Sequence, residues 1–144
     1  MRLFIYCADP RPEASLGRKI NEVLIAQGEQ VMRLCCFGGP IALAHPKEMA
    51  QTFAYMTDQI RFAVKCFSPE EIVIVGHDCG FYNHFVALKG TSVAQKRKDI
   101  IVVMELLKKR YARNDVTVRA FFDVSSEDCI KFEPLHQNTA KLAV

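Results

Sequence analysis

A chain of 144 residues can bury one ordinary core, and with half its residues hydrophobic and a quarter charged it is not a disordered or low-complexity segment. Nineteen Lys and Arg against sixteen Asp and Glu leave a net charge of only +3. The densest basic run, Lys96-Arg97-Lys98, continues into a helical pattern with Asp99 and Glu105, and is read as the solvated face of a helix rather than a nucleic-acid footprint.

Residues 2–7 form a nearly continuous apolar run, as expected of a strand buried on both faces, and Pro10 and Pro12 then break the chain. A helix is expected from about Glu13 to Gln27, with Leu16, Ile20, Val23 and Leu24 on one face and Gly28 as the stop. Glu29 to Cys35 reads as a second strand, ended by Gly38-Gly39-Pro40, and the short joints predict a parallel pair with a right-handed crossover. After a loop around His45-Pro46, Met49, Phe53, Met56, Ile60, Ala63 and Phe67 recur at helical spacing, which predicts a helix from about Lys47 to Phe67. Glu71 to Val75 is a third strand, and residues 81–85 are ambiguous. Ser92 with Gln95 forms a capping box for a helix reaching about Arg113, whose buried stripe is Ile100, Met104, Leu107 and Tyr111. Val116 to Val124 is a fourth strand, and the tail beyond it is weakly patterned.

With no internal repeat and no linker, residues 1–144 are expected to form a single α/β domain of three layers, α/β/α, around a mainly parallel four-stranded sheet. No apolar run approaches the roughly 18 residues needed to cross a bilayer, and Met1 to Tyr6 is too short for a secretory leader. The six cysteines, at 7, 35, 36, 66, 79 and 129, are therefore read as thiols or metal ligands rather than disulfides. The expectation is a cytoplasmic protein that engages neither membrane nor nucleic acid.

Ligand sites in such sheets lie outside the carboxyl ends of the strands, where the strand order reverses. Two strands end in chemically capable residues: the first in Cys7-Ala8-Asp9-Pro10-Arg11, the third in Gly76-His77-Asp78-Cys79-Gly80. Neighbouring strands lie about 4.8 Å apart, close enough for Cys7, His77 and Cys79 to share one ion. Two thiolates and an imidazole favour zinc over magnesium or calcium. If Asp9 also ligates, the shell is closed; if Asp9 pairs with Arg11, a position opens for water, whose pKa zinc lowers towards neutrality. Cys7 and Cys79 taken singly read better as buried, inert thiols, and it is their joint pattern with His77 that points to a metal.

Cys-x-Asp-x-Arg after a first strand and Gly-His-x-x-Cys-Gly after a later one mark the β-class carbonic anhydrases. Cys7-Ala8-Asp9-Pro10-Arg11 and Gly76-His77-Asp78-Cys79-Gly80 resemble those segments, and the order of elements is similar over roughly residues 2–135. Arg33 to Pro40 stands where that family has a strand ending in Arg-Asn-Ala-Gly, and Ala120 to Val124 looks like its last strand. The resemblance implies that Cys7, His77 and Cys79 bind Zn2+ and that Asp9 and Arg11 form the dyad that blocks or frees the fourth position. The implied reaction is reversible hydration of carbon dioxide to bicarbonate by zinc-bound hydroxide. The alternative is a catalytically inactive, zinc- or ligand-binding relative. The family's partner-embracing N-terminal arm has no counterpart here, so a homodimer is the expected assembly.

Two departures matter. The family places two residues between histidine and cysteine, whereas here only Asp78 intervenes. Residues two apart diverge by about 200° in a helical turn but share a side in an extended one, so His77 and Cys79 can reach one ion only if the stretch is extended. His84, five residues on, is either a substitute ligand or a surface residue. A thiol redox site on Cys35-Cys36 with Cys79 is a third reading, disfavoured because vicinal cysteines form strained disulfides.

Overall fold

The computed structural model describes residues 1–126 and 128–136. Five strands, β1 (Arg2–Cys7), β2 (Val31–Cys36), β3 (Glu71–His77), β4 (Thr117–Asp123) and β5 (Phe132–Leu135), make one sheet in the order β2-β1-β3-β4-β5. The first four are parallel, and β5 runs antiparallel against β4. Three main helical segments flank the sheet: α1 (residues 10–25), α2 (Ala50–Phe67) and α3 (Val93–Arg110). The mixed α/β class and the parallel set are as the sequence predicts; the fifth strand is not. Four residues long and containing Pro134, β5 carries no alternating signal, and proline is tolerated there because an edge strand need not donate on its outer side.

Side-chain alternation along the strands divides the core in two. Leu3 and Ile5 of β1 and Ile72 and Ile74 of β3 point to the layer of α2 and α3, where Met56, Ile60, Ile100, Val103 and Leu107 fill the space. Phe4, Tyr6, Val73 and Val75 point the other way, onto Leu16 and Ile20 of α1. One helix cannot cover that second face. Val23, expected on the buried stripe, is 39% exposed and lines an apolar groove instead. Phe67 likewise leaves the predicted α2 stripe and stands outside the core, edge-on to Phe62.

The prolines read as a break in fact open a helix. Asp9 caps the first turn, its carboxylate accepting from the Arg11 backbone N–H, and Pro10 occupies the first helical position, where its fixed φ fits and no N–H is missed. From Glu13 to Gly17 and again from Ile20 to Ile25 the helix widens into π turns. Strand β3 runs two residues further than predicted because Gly76 and His77 still pair with Phe122 and Asp123 of β4. At Gly76 a β-carbon would collide with the Ile100 side chain, so the glycine is what lets α3 press onto the end of β3. Gly39, at φ +51°, is pressed so closely on β1 that a β-carbon there would lie 2.6 Å from the Cys7 nitrogen.

Candidate metal centre

The chain leaves β1 for β2 on one side and returns as β3 on the other, so the carboxyl ends of β1 and β3 bound the point where the strand order reverses. Cys7 is the last residue of β1 and His77 the last of β3. Cys7, His77 and Cys79 are 2%, 7% and 2% exposed, and one donor atom from each lies within 4.8 Å of the others. The two sulfurs are 3.8 Å apart. Zinc–sulfur bonds of about 2.3 Å at a tetrahedral angle give an edge of about 3.8 Å. His77 Nε2 is buried with no hydrogen-bond partner in the protein. An orphaned polar atom of this kind is costly unless something else satisfies it. The donor set, its spacing and the unsatisfied imidazole nitrogen all fit a zinc ion.

The one-residue spacing works because the chain turns tightly at Asp78, in a three-residue γ-turn at the end of β3, rather than running on extended as the sequence suggested. Cys79 sits at φ −78° and ψ 119°, and its N–H donates to the His77 carbonyl at 2.7 Å. His77 and Cys79, on either side of that turn, are buried with their donors brought together, and the Asp78 side chain faces outwards. A 3-10 turn, Gly80–His84, begins immediately after. Asp78 is fixed in turn: Lys96 Nζ is 2.7 Å from its carboxylate, and Arg11 Nη2 reaches its carbonyl oxygen at 3.4 Å.

Asp9 stands beside this group without joining it. Its Oδ1 accepts from the Arg11 backbone N–H at 2.9 Å and from Nε at 3.0 Å, and its Oδ2 accepts from Nη2 at 2.9 Å. That fork holds the Asp9 pKa down to about 2, so the carboxylate is ionised at any physiological pH. The two buried thiols share a proton. Hydrogen bonding from Cys79, aided by His77, pulls Cys7 below the ordinary thiol range against the effect of burial, and the same contact drives Cys79 well above it. A cleft of about 270 Å³, bounded by Arg11, His77, Asp78, Arg97 and Asp123, adjoins the group on the His77 side; neither cysteine lines it.

The other sequence candidates lie elsewhere. His84 is exposed and stacks on Phe81 at 5.5 Å, outside the donor group. Cys35 is exposed, whereas Cys36 is half-buried against Met56, its thiol pushed up to about 11 by burial. The pair thus points to opposite sides of β2 and cannot act together. Gly38 and Gly39 pack on Phe81 and on the Cys7 backbone, which is a steric role.

Sequence reasoning missed the polar group behind the centre. Lys96, expected on a solvated face, is 6% exposed, with its ammonium on Asp78 and 5.2 Å from the Tyr82 ring centre. Asp99, 5% exposed, accepts from Tyr82 Oη at 2.8 Å and Gln95 Nε2 at 2.9 Å, and lies 2.8 Å from His45 Nε2. The available signal was Gln95 and Asp99 four apart on the side adjoining Ile100, a polar pair next to an apolar stripe.

No family profile matches the sequence, and no curated protein matches it. Among solved structures, the chain is similar to the crystal structure of a β-carbonic anhydrase of the fungal pathogen Aspergillus fumigatus. The identity is 15% and the TM-score 0.46, over 99% of this chain and 79% of that one. No helix among the described residues is long and apolar enough to cross a membrane.

Proposed function

We propose that the chain is a zinc-dependent carbonic anhydrase of the β kind, hydrating carbon dioxide reversibly to bicarbonate. The observation that carries this reading is the buried trio of Cys7, His77 and Cys79, with sulfurs 3.8 Å apart and an imidazole nitrogen left unsatisfied. The motif resemblance at residues 7–11 and 76–80 supplies the reaction class. Three protein ligands with Asp9 held on Arg11 are the pattern of a catalytic rather than a structural zinc site, because a fourth position stays open.

Each residue then has a task. Cys7 and Cys79 supply soft, anionic ligands, and the contact with Cys79 lowers the Cys7 pKa and so favours its thiolate. His77 supplies the third donor. When bound, zinc contributes Lewis acidity that brings the pKa of water near neutrality. Asp9 remains an anionic acceptor beside the open position and orients a hydroxyl donor there, while Arg11 keeps it from swinging in as a fourth ligand. The cleft beside Arg11 and His77 admits a small neutral gas and a small anion alike.

The test combines metal analysis with stopped-flow carbon dioxide hydration on wild type, Cys79→Ser and His84→Ala. About one zinc per chain and measurable hydration in wild type and His84→Ala, both lost in Cys79→Ser, are expected. Fully zinc-loaded wild type without hydration activity overturns the enzymatic reading and leaves a metal-binding protein.

A further inference from the structure

We infer that Lys96 is a positioning residue of the metal centre, holding the single-residue bridge between His77 and Cys79 in the one conformation that lets both donors converge. The inference rests on the metal reading and explains how a shortened ligand spacing can serve it. Asp78 is the central residue of the γ-turn that brings His77 and Cys79 together, so fixing its side chain outwards holds that turn in place. Without that constraint only the bond from the Cys79 N–H to the His77 carbonyl opposes early winding locally. The chain already turns into a 3-10 helix at Gly80, and one residue more would rotate Cys79 away from His77.

The clamp is built to resist release. Lys96 comes from the first turn of α3, and its side chain is only 7% exposed, whereas that of Asp78 is 62% exposed. A buried ammonium is tolerated only when paired, and Asp78 is the one carboxylate within salt-bridge distance of Lys96 among the described residues. The Tyr82 ring, 5.2 Å away, completes its surroundings but carries no charge to replace the carboxylate. If Asp78 turned inwards, the ammonium would be stranded. The cost of stranding it therefore opposes rotation of the bridge, while the Arg11 contact to the Asp78 carbonyl, at 3.4 Å, ties the same residue to α1. A basic run that reads as solvated thus sends one lysine inwards to set ligand geometry.

The experiment measures zinc affinity by competition with a chromophoric chelator, and records cobalt(II) spectra, for wild type, Lys96→Met, Asp78→Asn and Asp78→Glu, with folding checked by circular dichroism. Loss of an outer partner to a metal ligand lowers affinity about 10- to 100-fold. That loss is expected for Lys96→Met and Asp78→Asn, together with a halving of thiolate-to-cobalt absorption per bound ion as Cys79 drops out. Asp78→Glu, which keeps the carboxylate on an open surface, retains both. The absorption per ion separates the clamp from a general structural role, which leaves it unchanged. Should Lys96→Met fail to fold, Asp78→Asn decides, since it alters an exposed side chain. If wild type binds neither zinc nor cobalt, the metal reading falls and the clamp with it. If wild type binds through two thiolates and both clamp variants match it, the clamp alone is overturned.

Discussion

Buried Asp99 shows how a single residue can organise its neighbours. Its two oxygens gather Tyr82, Gln95 and His45, joining the turn after β3 to the segment after β2 and to α3. Tyr82 is fully buried, and burial together with the Asp99 charge raises its hydroxyl above the ordinary value of 10.0. A group protonated more strongly in the folded state stabilises fully below its unfolded pKa, and that contribution is lost as pH rises beyond it. Wild type is therefore expected to lose urea resistance above pH 10, as measured by denaturation midpoints from pH 8 to 11. Tyr82→Phe is expected to be less stable by about 2 kcal/mol at pH 8, through loss of a hydrogen bond to a charged acceptor, but to decline less steeply above pH 10. At this scale the sequence was informative where residue type and spacing were rare. Cys7, Asp9, Arg11, His77 and Cys79 stand out as types, and the strand pattern places them together. Lys96 and Asp99 do not, because nothing in a basic, helical run marks which lysine turns inwards.

Whole elements were easier to find than their ends. The central strands and the stripes of α2 and α3 follow from periodicity, while boundaries depended on contacts made across the sheet. The extension of β3 to His77 is one such case, made possible by a glycine that admits Ile100. Gly76→Val is expected to cost about 1–3 kcal/mol in chemical denaturation by overpacking against Ile100. Adding Ile100→Ala should recover part of that cost, giving a favourable coupling in a double-mutant cycle because the two sites share one space. The start of α1 is the converse case: Pro10 and Pro12 look like an interruption, but with Asp9 as cap they make a helix start. Replacing Asp9 by Ala is expected to lower stability by about 1 kcal/mol through the cap alone. On the proposed carbonic anhydrase reading, hydration activity is expected to fall too, because Arg11 loses its carboxylate partner.

For the molecule as a whole, the sheet order puts β1 and β3 in the middle, each paired on both sides, while β2 and β5 form the edges. Hydrogen exchange is accordingly expected to be slowest at the amides of β1 and β3 and fastest in β5, which is short and pairs only with β4. Equal protection of β5 and β1 would contradict the arrangement. The α/β class was readable because strand and helix patterns alternate, but the edge strand was not, since its pairing depends on β4 rather than on its own pattern. The groove beside α1 was equally hidden, because amphipathic spacing says which side of a helix is apolar and not how much of the opposing sheet it can cover.

The two sulfurs of the centre lie 72 positions apart. A zinc ion joining them would close α1, β2, α2 and β3 into a ring, with β1 leading into it and α3, β4 and β5 attached as an open arm. Closing a loop of that length removes chain entropy worth about 4 kcal/mol on the disulfide scale. For a domain of this size, stripping the metal with a chelator is then expected to lower the melting temperature by about 10 °C, and to do nothing in Cys7→Ser. The ring also predicts where the protection goes: exchange should slow throughout residues 7–79 on zinc loading, and least in the arm.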